Sequence, residues 1–426
     1  MESPYTPGSG MRPRVFAGRE AIMCRAEVTL TRVANQRDDV PPMVLTGPRG
    51  LGKTVTLAEI ATVAAGRGFV VCPVAFDSVS DNLLLLAAAL AQAVTPHLRR
   101  ASPVGRSFLR RLESLSVEIN AGLVKITSPG GVAADASEAS QRQVLADLLT
   151  KSGRLAAGDH KPGVVVLIDE IQEAPRSQLV VLCNALQDSH GSSVVVFAAG
   201  LPGAPDQLMA AASFSERFDY QELTRLDRAS AERALVEPSL ALGVRWRGEA
   251  VESMLREAAG SPFLIQKLGN EAWLIDNPAP GSSISAVVAG EAIVRTRRDL
   301  GVGMFRGRWA KASPRQQEFM VAAALCADEL GIARTADLTR LLRASTPQLS
   351  RVRKALMDKG LVESPGTGLL RFTMPGFASY VLSQADSSRL GPLPPALRLA
   401  LDSARGSVTT TDPDHVRASS PRGEGT

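Results

Sequence analysis

Gly47-Pro-Arg-Gly-Leu-Gly-Lys-Thr54 decides how this chain is to be read. It matches GxxxxGK[ST], a pattern whose residue types are dictated by phosphate chemistry. Gly47, Gly50 and Gly52 let the backbone turn tightly, so that successive N–H groups aim at phosphate oxygens. Pro48, Arg49, Leu51 and Val55 complete the segment that would line the phosphates. Lys53 has the reach and charge for the β- and γ-phosphates, and the Thr54 hydroxyl is a hard oxygen donor for Mg²⁺. The flanks agree with this reading. An apolar run ending in Val44 and Leu45 leads in as a strand, and a helical pattern over 52–65 leads out, bringing its positive N-terminal end to the site.

Further along, FVVCPVAF (69–76), GVVVLIDE (163–170) and SSVVVFAAG (192–200) are continuous apolar runs rather than alternating ones. That is the signature of strands buried on both faces of a parallel sheet. Helical patterns over 139–152 and 175–189 alternate with them, which predicts an α/β three-layer domain with right-handed crossovers. Asp169-Glu170 closes the second of these strands. An acid at a buried strand's carboxyl end, beside a phosphate loop, suits Asp169 for Mg²⁺, and its neighbour Glu170 suits polarisation of an attacking water. Residues 96–137 read as an insertion: a basic stretch from Arg99 to Arg111, a hairpin about Asn120 and Gly122, then a loop.

Phe16-Ala-Gly-Arg-Glu20, DEIQEA after the second strand, AAGLPG after the next, and Gly260-Ser-Pro-Phe263 together resemble AAA+ ATPases of the origin-recognition type and the related STAND signalling ATPases. The resemblance spans roughly residues 14–385. It implies that Phe16 and Arg19 lie against the base and ribose of ATP, that Pro262 of a helical lid packs on the adenine, and that Lys53 and Glu170 serve hydrolysis. Arg217, in SFSERFDY before a final strand (218–223), is the candidate arginine finger, acting within one chain or across a subunit boundary. Two departures stand out. The strand after the acidic pair ends in Ala198-Ala199-Gly200 where these families carry a polar sensor residue, and Gly260 to Gln266 holds no arginine. Slow hydrolysis is therefore expected.

Positive charge is concentrated near the other end. Residues 295–385 carry a net charge of +8, whereas residues 1–294 come to −3. Helical patterns at 313–328, 335–343 and 346–359, then a Gly-rich turn between LVES and LLRFTM, resemble a winged helix-turn-helix. Such a module would set Gln348, Ser350, Arg351 and Lys354 toward the major groove of duplex DNA, with Arg371 on the wing meeting phosphate.

Composition sets the outer bounds. The chain has 426 residues, 45% of them apolar and 21% charged, which suits several folded domains. No apolar run reaches the roughly 18 residues that cross a bilayer, no secretory leader is visible, and four scattered cysteines exclude a disulfide framework. A cytoplasmic protein is expected, with ATP/ADP and Mg²⁺ as ligands, double-stranded DNA and self-association as further partners, and no membrane. The expected division is a disordered N-terminus (1–15), a nucleotide-binding domain (16–226), a helical lid (227–298), the winged helix (299–385) and a disordered tail (386–426). The reading is a nucleotide-dependent switch with ATPase activity. Its alternatives are a STAND-like signalling or defence regulator, or a protein-interaction scaffold, with ATP bound but little hydrolysed.

Overall fold

Five parallel strands form the central sheet of the computed structural model, which describes residues 1–8, 10–35, 40–98, 103–114, 117–120, 123–126, 137–328, 331–386 and 394–408. In chain order the elements begin with helix α1 (Glu20–Ala34), strand β1 (Met43–Thr46), α2 (Lys53–Gly66), β2 (Val70–Ala75), α3 (Asn82–Val94) and α4 (Pro103–Ser114). A hairpin of β3 (Val117–Asn120) and β4 (Leu123–Ile126) follows, pairing Asn120 with Leu123. Then come α5 (Glu138–Gly158), β5 (Val164–Asp169), α6 (Arg176–Asp188), β6 (Val194–Gly200), α7 (Ala204–Ala211) and β7 (Asp219–Glu222).

The sheet order is β2-β5-β6-β1-β7, so β6 separates the strand of the phosphate loop from the strand of the acidic pair. Alternate residues of the continuous apolar runs go to opposite faces. Val164, Val166 and Ile168 of β5 join a core with α3, α5 and α6, while Val165 and Leu167 join a second core with α1 and α2. The three-layer α/β expectation is borne out, and the absence of alternation in the sequence is explained by two covered faces. Asp81 caps α3 as its position suggests, accepting from the N–H groups of Leu83 and Leu84. Cys72 and Cys183 sit in the core, where burial pushes each thiol up to about 12 and leaves it inert.

The same compact unit continues through α8 (Arg228–Leu240), β8 (Arg245–Trp246), α9 (Gly248–Ala258), α10 (Pro262–Asp276), β9 (Ser283–Ile284) and most of α11 (Ala286–Leu300). Residues 1–15 differ from the expectation. The described ones among them hold no helix or strand, yet Tyr5 is only 3% exposed. Its ring meets Trp246 and Trp273 edge-on, and its hydroxyl donates to the Leu235 carbonyl at 2.6 Å and accepts from the Trp246 indole at 3.1 Å. Gly269 leaves room for the ring, since a Cβ there would lie 2.7 Å from it. A Pro/Gly/Ser-rich composition describes the backbone's weak propensity, and one well-housed aromatic overrides it.

The second unit runs from Leu300. It contains α12 (Arg306–Ala310), α13 (Pro314–Leu325), β10 (Ile332–Arg334), α14 (Thr335–Leu342), α15 (Thr346–Asp358), β11 (Val362–Glu363), β12 (Leu369–Phe372), α16 (Phe377–Asp386) and α17 (Pro395–Val408). Its sheet is three-stranded and antiparallel in the order β10-β12-β11, one strand more than the expected hairpin, because Ile332–Arg334 pairs along Leu369–Arg371. Phe305, Phe372, Phe377 and Tyr380 cluster in its core. The tail is also corrected in part: α17 buries Leu397 and Leu401, so residues 395–408 are folded. Residues 409–426, Arg99 and Arg100, and the loop over 127–136 lie outside the described residues.

Candidate functional site

The phosphate loop leaves β1 at Thr46 and enters α2 at Lys53. Its glycines are there for stated reasons. Gly50 and Gly52 each have φ of +87°, and a Cβ on Gly47, at φ +151°, would come within 2.8 Å of the Leu223 carbonyl oxygen. Lys53 is buried, and its ammonium donates to the carbonyls of Gly47 at 2.8 Å and Pro48 at 3.1 Å. The cation is thus held by the carbonyls of the loop itself.

Thr54 and Asp169, 115 residues apart, meet directly: the Thr54 hydroxyl donates to Asp169 Oδ2 at 2.6 Å. The link depends on the sheet, since the end of β5 must be carried to the start of α2 past β6. Hydroxyl and carboxylate are hard oxygen donors at one point, the set that suits Mg²⁺. Glu170 follows with φ of +52°, unusual for a residue with a side chain, at the turn into a short 3₁₀ helix, Ile171–Glu173. Arg49 does not simply face solvent: its guanidinium lies 3.9 Å from Glu170 and 3.8 Å from Glu173, tying the loop to the acidic turn.

Arg19 is 6% exposed and donates to the carbonyls of Gly18, Leu51 and Thr224, so it braces the loop's backbone from behind. Burial pushes its guanidinium below its ordinary value, and Glu20 offsets part of that. Phe16 is half-buried just before it. The lid approaches from the other side. Pro262 opens α10, Ser261 caps it by accepting from Leu264 N–H, and Phe263 N–H reaches the Gly50 carbonyl at 3.4 Å. Gly260 allows this approach, because at φ +72° a Cβ would clash with the Leu226 carbonyl at 2.5 Å.

Arg217 does not converge on this site within the chain. It lies two residues before the first residue of β7, and β7 runs parallel to β1 with Asp219 opposite Met43. The phosphate loop leaves the other end of β1, about 13 Å away at the rise of a parallel strand. The salt bridge that would explain it away is also not seen with Asp219, whose carboxylate takes both nitrogens of Arg25. Within the chain Arg217 thus lies before the amino end of β7, away from the end of the sheet that carries the loop.

Two contributors escaped sequence reasoning. The N-terminal segment runs from Tyr5 in the lid to Arg12, which pairs with Glu59 on α2 at 2.7 Å. Between them Gly10 passes beside the Thr54 methyl: a Cβ there would lie 3.2 Å from Thr54 Cγ2. Gln172 is the second, joining the acidic turn to the end of β6.

In the second unit the chosen residues of α15 are all exposed, and Gln348 and Ser350 also bond locally. Gln348 accepts from Ser345 N–H and Ser350 donates back to the Thr346 carbonyl, so both are engaged in their own helix. Arg351 and Lys354 are exposed on α15. Arg371 is directly across from Glu363 and bonded to it at 2.8 Å. Arg353, unremarked in the sequence, donates to Ser364 and to the Leu369 carbonyl, fastening α15 to the hairpin.

Residues 15–197 match the family model described as AAA ATPase domain. Residues 302–381 match one described as a domain of unknown function (DUF8462). Among solved structures, the Walker-type ATPase of Pyrococcus abyssi is similar at 14% identity, with a TM-score of 0.56 over 87% of this chain and 97% of that one. The ORC2 protein of Aeropyrum pernix in its ADP form is similar at 14% identity, with a TM-score of 0.51 over 89% and 98%. At these identities the likeness is one of fold. No curated protein matches the sequence. No helix of the described residues is long and apolar enough to cross a membrane. The chain therefore carries an AAA-type, nucleotide-binding ATPase domain in its first half.

Proposed function

We propose that this protein is a slow ATPase that works as a nucleotide-dependent switch, and that its C-terminal unit is a winged helix that contacts duplex DNA. The observation that carries the reading is the meeting of Thr54 and Asp169 at 2.6 Å beside a buried Lys53. Thr54 and Asp169 would hold Mg²⁺, which would supply positive charge against that developing on the phosphates. Lys53 and the loop N–H groups bind the phosphates, Glu170 takes the proton of the attacking water, and Arg19 and Pro262 shape the base and ribose side. The site spans the sheet and the lid within one unit, so ATP held by both favours a closed lid over an open one. Arg217, exposed at the opposite end of β7, suits a partner subunit's site rather than its own.

The DNA part rests on the charge of residues 295–385 and on the exposure of Arg351 and Lys354. A second reading, ATP bound and little hydrolysed in a STAND-like regulator, draws on Ala198-Ala199-Gly200, which brings no polar side chain to the end of β6.

The test is ATP turnover by the full chain, with and without duplex DNA, beside Lys53→Ala. Turnover stimulated by duplex and reduced on the order of a hundredfold in the variant is expected. Tight ATP binding with negligible turnover in both conditions would sink the hydrolase and leave the ligand-held regulator.

A further inference from the structure

The end of β6 has no polar side chain to offer the catalytic turn, yet it is bonded to that turn. Leu201, the first residue past Gly200, donates its backbone N–H to Gln172 Oε1 at 3.0 Å. That bond orients the amide, because a backbone N–H can only be met by the carbonyl oxygen. The Gln172 amide nitrogen must then face the acids: it donates to Glu170 Oε2 at 2.5 Å and to Glu173 Oε1 at 3.2 Å. Both N–H donors of the side chain are spent on carboxylates, and its carbonyl oxygen is held by the strand end.

Gly200 explains why this side chain does the work. A Cβ there would come within 2.6 Å of Ala204 Cβ, 2.9 Å of Ile171 Cγ2 and 3.1 Å of Gln172 Oε1. No side chain fits at the strand's last position while the amide occupies the space. The left-handed turn at Glu170 makes the arrangement reachable, since it folds the chain back so that residue 172 stands beside residue 170. On the far side Arg49 of the phosphate loop leans on the same two carboxylates at 3.9 and 3.8 Å.

We propose that Gln172 is a positioning residue for hydrolysis. It fixes the Glu170 carboxylate to the end of β6, and it does from the acidic turn what the apolar strand end cannot do itself. The proposal rests on the ATPase reading above. Any displacement of Leu201 is passed to Glu170 through a single rigid amide plane. The active carboxylate is thereby coupled to the end of β6, the central strand next to β1.

The experiment is single-turnover ATP hydrolysis by the full chain and by Gln172→Ala and Gln172→Glu, with ATP affinity and melting midpoint measured on the same preparations. The expected result is a loss of about tenfold to a hundredfold in kcat. KM, ATP affinity and melting midpoint stay at their wild-type values. Gln172→Glu, close in shape but with a third carboxylate in place of two donors, loses at least as much as Gln172→Ala. In Glu170→Gln, adding Gln172→Ala causes no further loss, because both act through one carboxylate. Wild-type kcat in either variant overturns the proposal alone. Loss of ATP affinity and melting midpoint in step with kcat in both variants overturns it too, by making Gln172 a structural prop. A wild-type chain that binds ATP without turning it over overturns the ATPase reading and this proposal together.

Discussion

The phosphate loop and helix α15 were both singled out by charge and motif, and the structure treats them differently. At the loop, residues from four separate parts of the chain converge. Thr54 meets Asp169, Arg49 leans on Glu170, Arg19 holds Leu51, and Phe263 touches Gly50. On α15 the polar side chains bond only with their own module: Gln348 with Ser345, Ser350 with Thr346, Arg353 with the hairpin. Gln348, Ser350, Arg351 and Lys354 are nevertheless all exposed on the helix. Convergence of distant residues has no cheap structural explanation, whereas a basic helix surface has several. The loop is thus a site by geometry, and α15 is a surface whose function must be read by binding.

The sharpest way to break that contrast is Asp169→Ala. If the Thr54–Asp169 pair is the metal site, turnover falls on the order of a hundredfold to a thousandfold. The remaining activity also loses its dependence on Mg²⁺ concentration. A turnover assay across a magnesium titration checks both. Activity that survives with its magnesium dependence intact would mean that the convergence is only a cap for the start of α2.

A smaller effect is expected on α15. Arg351→Ala with Lys354→Ala should weaken duplex binding about tenfold at moderate salt and lower the slope of log affinity against log salt by about two, while basal ATP turnover is untouched. Fluorescence anisotropy with a labelled duplex across a salt series measures this. Unchanged affinity would move the DNA-facing surface off this helix or remove it.

How much of this was legible in the sequence follows from how local each signal is. The loop and Asp169-Glu170 are short strand-to-turn patterns, readable because their neighbours in sequence carry the meaning. The layered sheet was readable from continuous runs such as Val164 to Ile168, which require two apolar faces. Sheet order was not, since nothing in β6 says that it lies between β1 and β5. Tyr5 was opaque for a related reason. Its socket is assembled from Leu235, Trp246, Gly269 and Trp273, and the local composition of residues 1–15 reports only a backbone with weak preferences. A lone aromatic in such a segment, in a chain with three tryptophans, was the available hint. Gln172 was hidden by the positive φ of Glu170, which an ordinary side chain rarely adopts. The sequence showed the missing polar residue at the end of β6, and only the fold shows where its replacement comes from.

Arg371 gives the smallest and most discriminating effect. Its guanidinium is bonded to Glu363 across the β11–β12 pair, and the two side chains are 30% and 16% exposed. To meet a phosphate it would have to leave that carboxylate, and the charge of Glu363 would repel the same duplex. Arg371→Ala is therefore expected to change duplex affinity by no more than about twofold to threefold, in keeping with the small worth of half-exposed pairs. Glu363→Gln separates the explanations. If Arg371 is held as a cross-strand brace, the substitution leaves affinity near wild type and lowers the melting midpoint slightly. If the arginine is a phosphate contact restrained by its partner, removing that partner's charge raises affinity and steepens the salt dependence. That second result would restore Arg371 to the DNA-facing set and narrow the difference between α15 and the phosphate loop.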